Sequence, residues 1–168
     1  MANPHSGDHR GRRNFGRAQL DPSTDPYHPR HKPAGPIVCP QCGVFYAVAR
    51  WQWGTAPVDA AHELCPACRR IKDDLPAGIV TVHGPLAQPR LDEIISLARH
   101  QEEAERQEHP LNRIIKIEQE PEALTITTTD MHLPRRIGEA LRRAYRGELD
   151  MDFDEDGYFA RVDWRAAK

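Results

Sequence analysis

Nowhere in its 168 residues does the chain gather the ~20 consecutive apolar residues that a membrane-spanning helix needs. Its opening, MANPHSGDHRGRRNFGR, lacks the apolar stretch of a secretory signal, and Asp8, Asp21 and Asp25 break the acid-poor pattern of a transit peptide. Serine is scarce: Ser6, Ser23 and Ser96 are all there are. The chain has no phosphate-cradling P-loop and no G-x-G-x-x-G, and no nucleophile stands at a motif spacing from His109 or His132. TTTDMH can be imagined as an acid/base cluster, but a strand end followed by a helix cap accounts for it without chemistry. No catalytic residue is therefore assigned, and no small-molecule substrate or membrane partner is expected. The expected compartment is the cytoplasm, where thiols stay reduced and structural disulfides are rare.

Cysteine is also missing everywhere except in two tetrads of identical spacing, CPQC and CPAC, which hold Cys39, Cys42, Cys65 and Cys68 across a spacer of twenty-two residues. Three chemistries compete for them. Disulfides are disfavoured by compartment. A redox dithiol needs one reactive pair at the start of a helix that follows a strand, and neither pair obviously opens one. Zinc needs four soft ligands in a tetrahedron, and two C-x-x-C loops supply them, one from each side. The spacer is slightly above the usual ~15–20 residues but long enough to form a hairpin that returns the second pair. Pro40 and Pro66 stiffen the loops, and Gly43 permits a positive φ just after the first. One structural zinc is the favoured reading. Four thiolates would close the site to water and substrate, and the metal would supply much of the folding free energy of so short a segment. His62 stands near the second pair but is not needed as a ligand.

Large apolar side chains are nearly absent from residues 1–36, which hold six basic residues against three acidic ones. Such a segment cannot bury enough surface to offset the entropy of ordering, so a disordered basic arm is expected. Residues 37–168 reverse the balance, with seventeen basic residues against twenty-two acidic. Residues 37–75 are expected to form a four-cysteine zinc ribbon, with VFYAVARWQWG read as a strand. One of Trp51 and Trp53 is expected to complete its core, leaving the other free to stack on a base, unless both are packed.

Residues 76–168 predict a small α+β domain in the order β-α-β-β-α-β-β, with the helices on one face of a sheet. GIVTVHG is a short strand. In RLDEIISLARHQEEAERQEH, Leu91, Ile94, Ile95 and Ala98 make one apolar stripe, and the polar second half is expected to project from the core. IIKIEQ and ALTITTTD pair as a hairpin. In DMHLPRRIGEALRRAYRG, Asp130 caps, Pro134 enters the first turn and Gly147 stops the helix. Its buried face is Leu133, Ile137, Leu141, Ala144 and Tyr145. Asp152, Asp154, Asp156, Gly157 and Asp163 superficially match a calcium loop, but the flanking alternation favours a strand hairpin over the two helices such a loop requires.

Off the apolar face of that second helix lie Arg135, Arg136, Arg142, Arg143 and Arg146, against a single carboxylate, Glu139. Guanidinium forks suit phosphate, so the strip suggests RNA binding; the competing explanation pairs them with this acidic body's own carboxylates.

CPQCG…CPACRR together with LTITTTDMHLPRRIGEALRRAYRGELDMDF resembles a little-characterised bacterial zinc-ribbon family. That family is similar to the N-terminal part of the archaeal and eukaryotic adapter for large-ribosomal-subunit export. The resemblance covers roughly residues 37–165. It implies a zinc-bearing protein that contacts ribosomal RNA, with Cys39, Cys42, Cys65 and Cys68 as ligands and Thr128–Arg136 as a signature without an assigned role. The adapter's additional cysteine pairs and C-terminal domains are absent, so its export role does not carry over. The expectation is a non-enzymatic, ribosome-associated RNA-binding factor, used in stress or dormancy. A protein-interaction adapter and a redox-sensing zinc switch are the alternatives.

Overall fold

Short strands with few apolar residues lead the chain, and long alternating ones follow. The computed structural model describes Tyr27 and residues 32–154 and 158–167. Most of the expected arm, residues 1–26 and 28–31, lies outside the described residues. Tyr27 itself meets α1 of the cysteine-bearing part: its hydroxyl bonds the Asp73 carboxylate and the Arg70 guanidinium stands 4.7 Å over its ring.

The elements in chain order are β1 (Ile37–Val38), β2 (Phe45–Ala47), β3 (Arg50–Gln52), β4 (Ala61–His62), α1 (Pro66–Asp73), β5 (Gly78–His83), α2 (Gln88–Glu108), β6 (Ile114–Glu120), β7 (Ala123–Thr128), α3 (His132–Ala144), β8 (Gly147–Phe153) and β9 (Ala160–Ala166). The class is the expected mixed α+β. A four-stranded sheet runs β3-β2-β1-β4, and a five-stranded sheet runs β6-β7-β5-β9-β8.

VFYAVARWQWG is not one strand. Val48 and Ala49 both take left-handed backbone, at φ 52° and 62°, and fold the run into a tight hairpin of β2 on β3. Two consecutive positive φ values match the strand twist of a two-residue hairpin. Neither residue is a glycine, so the turn is strained and carries no sequence signal.

In the large sheet, period-two burial places Val80 and Val82 of β5, Leu124 and Ile126 of β7, and Val162 and Trp164 of β9 on one face. α2 and α3 cover that face with Ile94, Ala98, Leu133, Ile137 and Leu141. On α3 the buried set includes Ala140, while Ala144 in the last turn is exposed. Asp130 does cap: its Oδ2 accepts from the backbone N–H of His132 at 2.6 Å and of Leu133 at 3.0 Å.

Gly147 has a different job from the one expected. It opens β8 rather than stopping α3, and a Cβ there would collide with the Arg165 carbonyl and stand 2.6 Å from the Trp164 ring. Trp164, almost wholly buried, needs that space. β8 and β9 form the expected antiparallel hairpin, and Arg161 clamps it to Asp154 at 2.9 Å. Strands therefore flank the acidic turn where a calcium loop would need helices; residues 155–157 lie outside the described residues. No helix among the described residues is long and apolar enough to cross a membrane.

α3 lies close on the sheet because Gly138 faces it: a Cβ at 138 would be 2.6 Å from Val162 Cγ1 and 3.1 Å from Leu149 Cδ1. Alanine is the better helix former by ~1 kcal/mol, but Val162 is buried and stiff at χ1. Overpacking therefore wins. Gly138→Ala should lower the urea midpoint instead of raising it, an overpacking cost of ~1–3 kcal/mol less the ~1 kcal/mol propensity gain leaving a net cost of up to about 2 kcal/mol.

Candidate metal centre

The first cysteine pair sits on a tight loop after β1. Cys39 N–H donates to the Val44 carbonyl and Gly43 N–H to the Cys39 carbonyl, both at 2.9 Å, and Gly43 takes φ 80°. That positive φ is why a glycine follows CPQC. The second pair does open a helix, contrary to the expectation from sequence. Cys65 is the N-cap of α1, its sulfur accepting from Cys68 N–H at 3.4 Å, with Pro66 in the first turn. A cysteine is a poor cap by propensity, so the helix start was hidden.

The two loops bring all four sulfurs within 4.8 Å of one another. Cys42 and Cys65 Sγ are 3.8 Å apart, and none of the four is in a disulfide. Tetrahedral ligation with metal–sulfur bonds near ~2.3 Å requires sulfur–sulfur edges of roughly 3.8 Å; a disulfide would require about 2.05 Å. The four cysteines therefore fit one metal ion. His62 stays exposed on β4, outside the cluster.

Burial governs the thiols. It pushes Cys65 and Cys68 up, with the neighbouring sulfurs adding to the effect at Cys65. At Cys39 burial also opposes ionisation, but backbone N–H groups of Cys65, Cys42 and Gln41 outweigh it and bring the thiol down to about 7.

A fifth residue completes the centre. Arg113, on the loop between α2 and β6, is buried at 5% exposure with its guanidinium against the cluster. Nη1 donates to Cys68 Sγ at 3.3 Å, and Nη2 donates to Cys42 Sγ at 3.1 Å and to Cys65 Sγ at 3.8 Å. Nε donates to the Pro110 carbonyl at 2.9 Å. Four thiolates around a divalent ion leave a net charge of about −2, and a buried guanidinium offsets half of it. Arg113 belongs to the large sheet's connections, so the centre joins both parts of the molecule. In the sequence it is one arginine in a polar loop, seventy-one residues from Cys42, and nothing local marks it.

The Thr128–Arg136 signature gains a structural role here. The Thr129 hydroxyl donates to the Leu111 carbonyl at 2.5 Å, accepts from Arg113 N–H at 2.9 Å, and sits in a doubly bonded bridge with Arg113, since Thr129 N–H returns to the Arg113 carbonyl at 2.9 Å. Thr129 thus fixes the backbone that aims Arg113. Arg136 pairs with buried Glu105 of α2 at 3.0 Å, and Arg135 pairs with Glu139 at 3.1 Å. Arg142, Arg143 and Arg146 are exposed and have no acidic partner among the described residues.

The two tryptophans are both half-buried and packed around the cysteine cluster. Trp53 reaches across: its indole N–H donates to the Arg106 carbonyl of α2 at 2.7 Å, under the Arg106 guanidinium at 5.1 Å. The polar second half of α2 consequently does not project from the core. Glu105 is buried, and Glu102 accepts from Ile114 N–H at 2.7 Å. Charged side chains with specific partners pack as well as apolar ones, which hydrophobic periodicity does not register.

Compared with known proteins, the chain matches no family model, no curated protein and no solved structure.

Two outcomes follow from this geometry. Arg113→Met should weaken metal binding by ~10–100-fold in chelator competition, as loss of an outer-shell partner does, and Arg113→Lys should recover only part of it, since one ammonium cannot span three sulfurs. Asp130 offers a pH test. Burial raises its carboxyl above the ordinary 3.8, against the opposing N–H groups of Leu133 and His132, and its Oδ1 is buried without a partner. The folded chain thus holds this proton more tightly than the unfolded chain, so stability falls as pH rises through the raised value. Asp130→Asn keeps an accepting oxygen and cannot ionise. It should raise Tm at neutral pH, with a gain that vanishes on acidification toward about pH 4.

Proposed function

We propose that the protein is a non-enzymatic RNA-binding factor, built on one structural zinc ion and acting on ribosomal RNA. The small sheet with its two cysteine loops is then a zinc ribbon. Four thiolates at tetrahedral spacing suit zinc, which is redox-inert and takes four-sulfur sites as structural ones. With all four positions filled by cysteine, the ion has no place for a water or substrate, so its contribution is rigidity.

One observation carries the RNA reading: the Arg142, Arg143 and Arg146 end of α3 is exposed and unpaired among the described residues, in a chain whose net charge is −2. An acidic protein has carboxylates to spare, and Arg135 and Arg136 have taken theirs. Guanidiniums left open in that setting are available to phosphate, which they engage bidentately. Ribosomal RNA is proposed as the source of that phosphate because the cysteine tetrads and the Thr128–Arg136 run resemble a bacterial zinc-ribbon family that is in turn similar to the N-terminal part of the ribosomal-subunit export adapter.

The test uses the full chain, with zinc content measured in each preparation and expected at one ion per chain. Fluorescence anisotropy against fragments of ribosomal RNA should show affinity that falls steeply with salt. Replacing Arg142, Arg143 and Arg146 together by Glu should weaken binding by at least ~10-fold and make the log–log salt slope shallower by about 2, as expected for three lost phosphate contacts. Unchanged affinity, or binding insensitive to salt, would remove the reading.

A further inference from the structure

The joint between the two sheets carries a groove that the α3 strip does not explain. On one side a cavity of about 720 Å³ is walled by Arg50, Trp51 and Gln52 of β3 with Trp53 after it, by Gln107 and Glu108 at the end of α2, and by Pro110 and Leu111 of the loop that follows. On the other a cavity of about 550 Å³ is walled by Glu105, His132, Arg135, Arg136 and Glu139. Both cavities are lined by His109 and Asn112, so the two adjoin at the α2–β6 loop.

The lining has a recognisable chemistry. Trp51 packs on the cysteine cluster and is braced edge-on by Tyr46, with ring centroids 5.5 Å apart, which holds the indole rigid, while its half-buried ring still lines the cavity. Arg50, next to it, is exposed and has no acidic partner among the described residues. Gln107, Asn112, His109 and His132 supply donors and acceptors along the floor. At the far end Arg135 is tied only by its exposed pair with Glu139, which solvent screens and a phosphate can replace. Arg136 is different: it is committed to buried Glu105. A peptide would want apolar anchor pockets along its length; the first cavity has apolar walls in Trp51, Trp53, Pro110 and Leu111, but the second is lined by charged and polar residues alone. A rigid aromatic platform, flanking arginines and amide groups between them are what a single-stranded nucleic acid engages, by stacking bases and pairing its backbone.

We propose that this groove holds a short single-stranded segment of RNA, with a base on Trp51 and backbone phosphates at Arg50 and at Arg135. Glu108 on the rim repels phosphate from the middle, so the backbone bends outward there and the bases face Asn112 and His109. The assignment rests on the RNA-binding reading above and adds to it the kind of RNA and a second contact surface. The ribosomal-RNA target then presents a loop or an unpaired end, and the α3 strip takes the neighbouring backbone.

The experiment titrates the zinc-loaded full chain into fluorescein-labelled oligouridylate and, separately, into a duplex of similar length. Trp51→Ala should weaken single-strand binding by about ten-fold or more, the loss expected for one stacked base, and Trp51→Phe should restore most of it. Arg50→Glu should weaken it comparably, and it decides the matter should Trp51→Ala lose its zinc or its fold. If Trp51→Ala and Arg50→Glu both bind the single strand like the parent while the triple-Glu α3 variant does not, the groove assignment is overturned and the RNA reading stands. Tighter binding to duplex than to single strand also overturns the groove. If the parent chain binds neither RNA, the general reading falls and takes the groove with it.

Discussion

A buried cation stands at the joint between the two parts of this molecule. The Arg113 guanidinium, supplied by the large sheet, donates to three sulfurs supplied by the small one. Neither side is comfortable alone. Burial makes the Cys65 and Cys68 thiols resist ionisation, and a guanidinium at 5% exposure is costly without acceptors. A divalent ion among the sulfurs makes them thiolates and turns the weak N–H···S contacts into charge-assisted ones. Metal binding and docking of the two sheets are thereby linked: whatever favours one favours the other by the same free energy. The small sheet needs that linkage. Its buried set is Cys39, Val44, Cys65, Ala67 and Cys68, with Leu111 packed on it from the other part of the chain, too little apolar surface to fold on burial alone.

Other contacts repeat the pattern at the same joint. Trp53 bonds the α2 backbone, Lys116 of β6 reaches Asp74 after α1 at 2.5 Å, and Ala77 N–H bonds the Thr128 carbonyl as the chain passes from one sheet to the next. Charge is sorted around the joint. On β8 the side chains of Glu148, Asp150 and Asp152 alternate away from the helices, onto the open face of the large sheet, whereas Leu149 and Met151 face the core. The arginines of α3 lie on the opposite side.

How much of this could be read from the sequence follows from which signals are local. The cysteine spacing identified all four sulfurs of the cluster, because two loops of fixed geometry leave little choice. The stripes on α2 and α3 marked most of the helix residues that cover the large sheet, because periodicity is imposed by the backbone itself. What stayed hidden was carried by long-range polar contacts. Arg113 is silent because its partners come from another part of the fold. The helix opened by Cys65 was masked because the capping atom is a sulfur, and the Val48–Ala49 turn because neither residue favours positive φ. Gly147 looked like a helix stop because a glycine after an amphipathic run usually is one, yet here it gives way to the Trp164 ring.

The signature run explains why these features belong together. Thr129 fixes the loop that aims Arg113, Asp130 caps α3, Arg136 ties α3 to Glu105 on α2, and His132 and Arg135 wall the groove. One short stretch, Thr128–Arg136, therefore sets the metal centre's outer partner, starts the helix that carries the arginine strip, and supplies one end of the proposed RNA groove. The groove's other wall, Arg50–Trp53, stands on the small sheet. Its width is consequently a property of how the two sheets dock, and docking is linked to the metal. Four sulfurs around one ion would leave it no open position for a substrate, so its contribution in this arrangement would be to hold the two half-surfaces facing each other at a fixed distance.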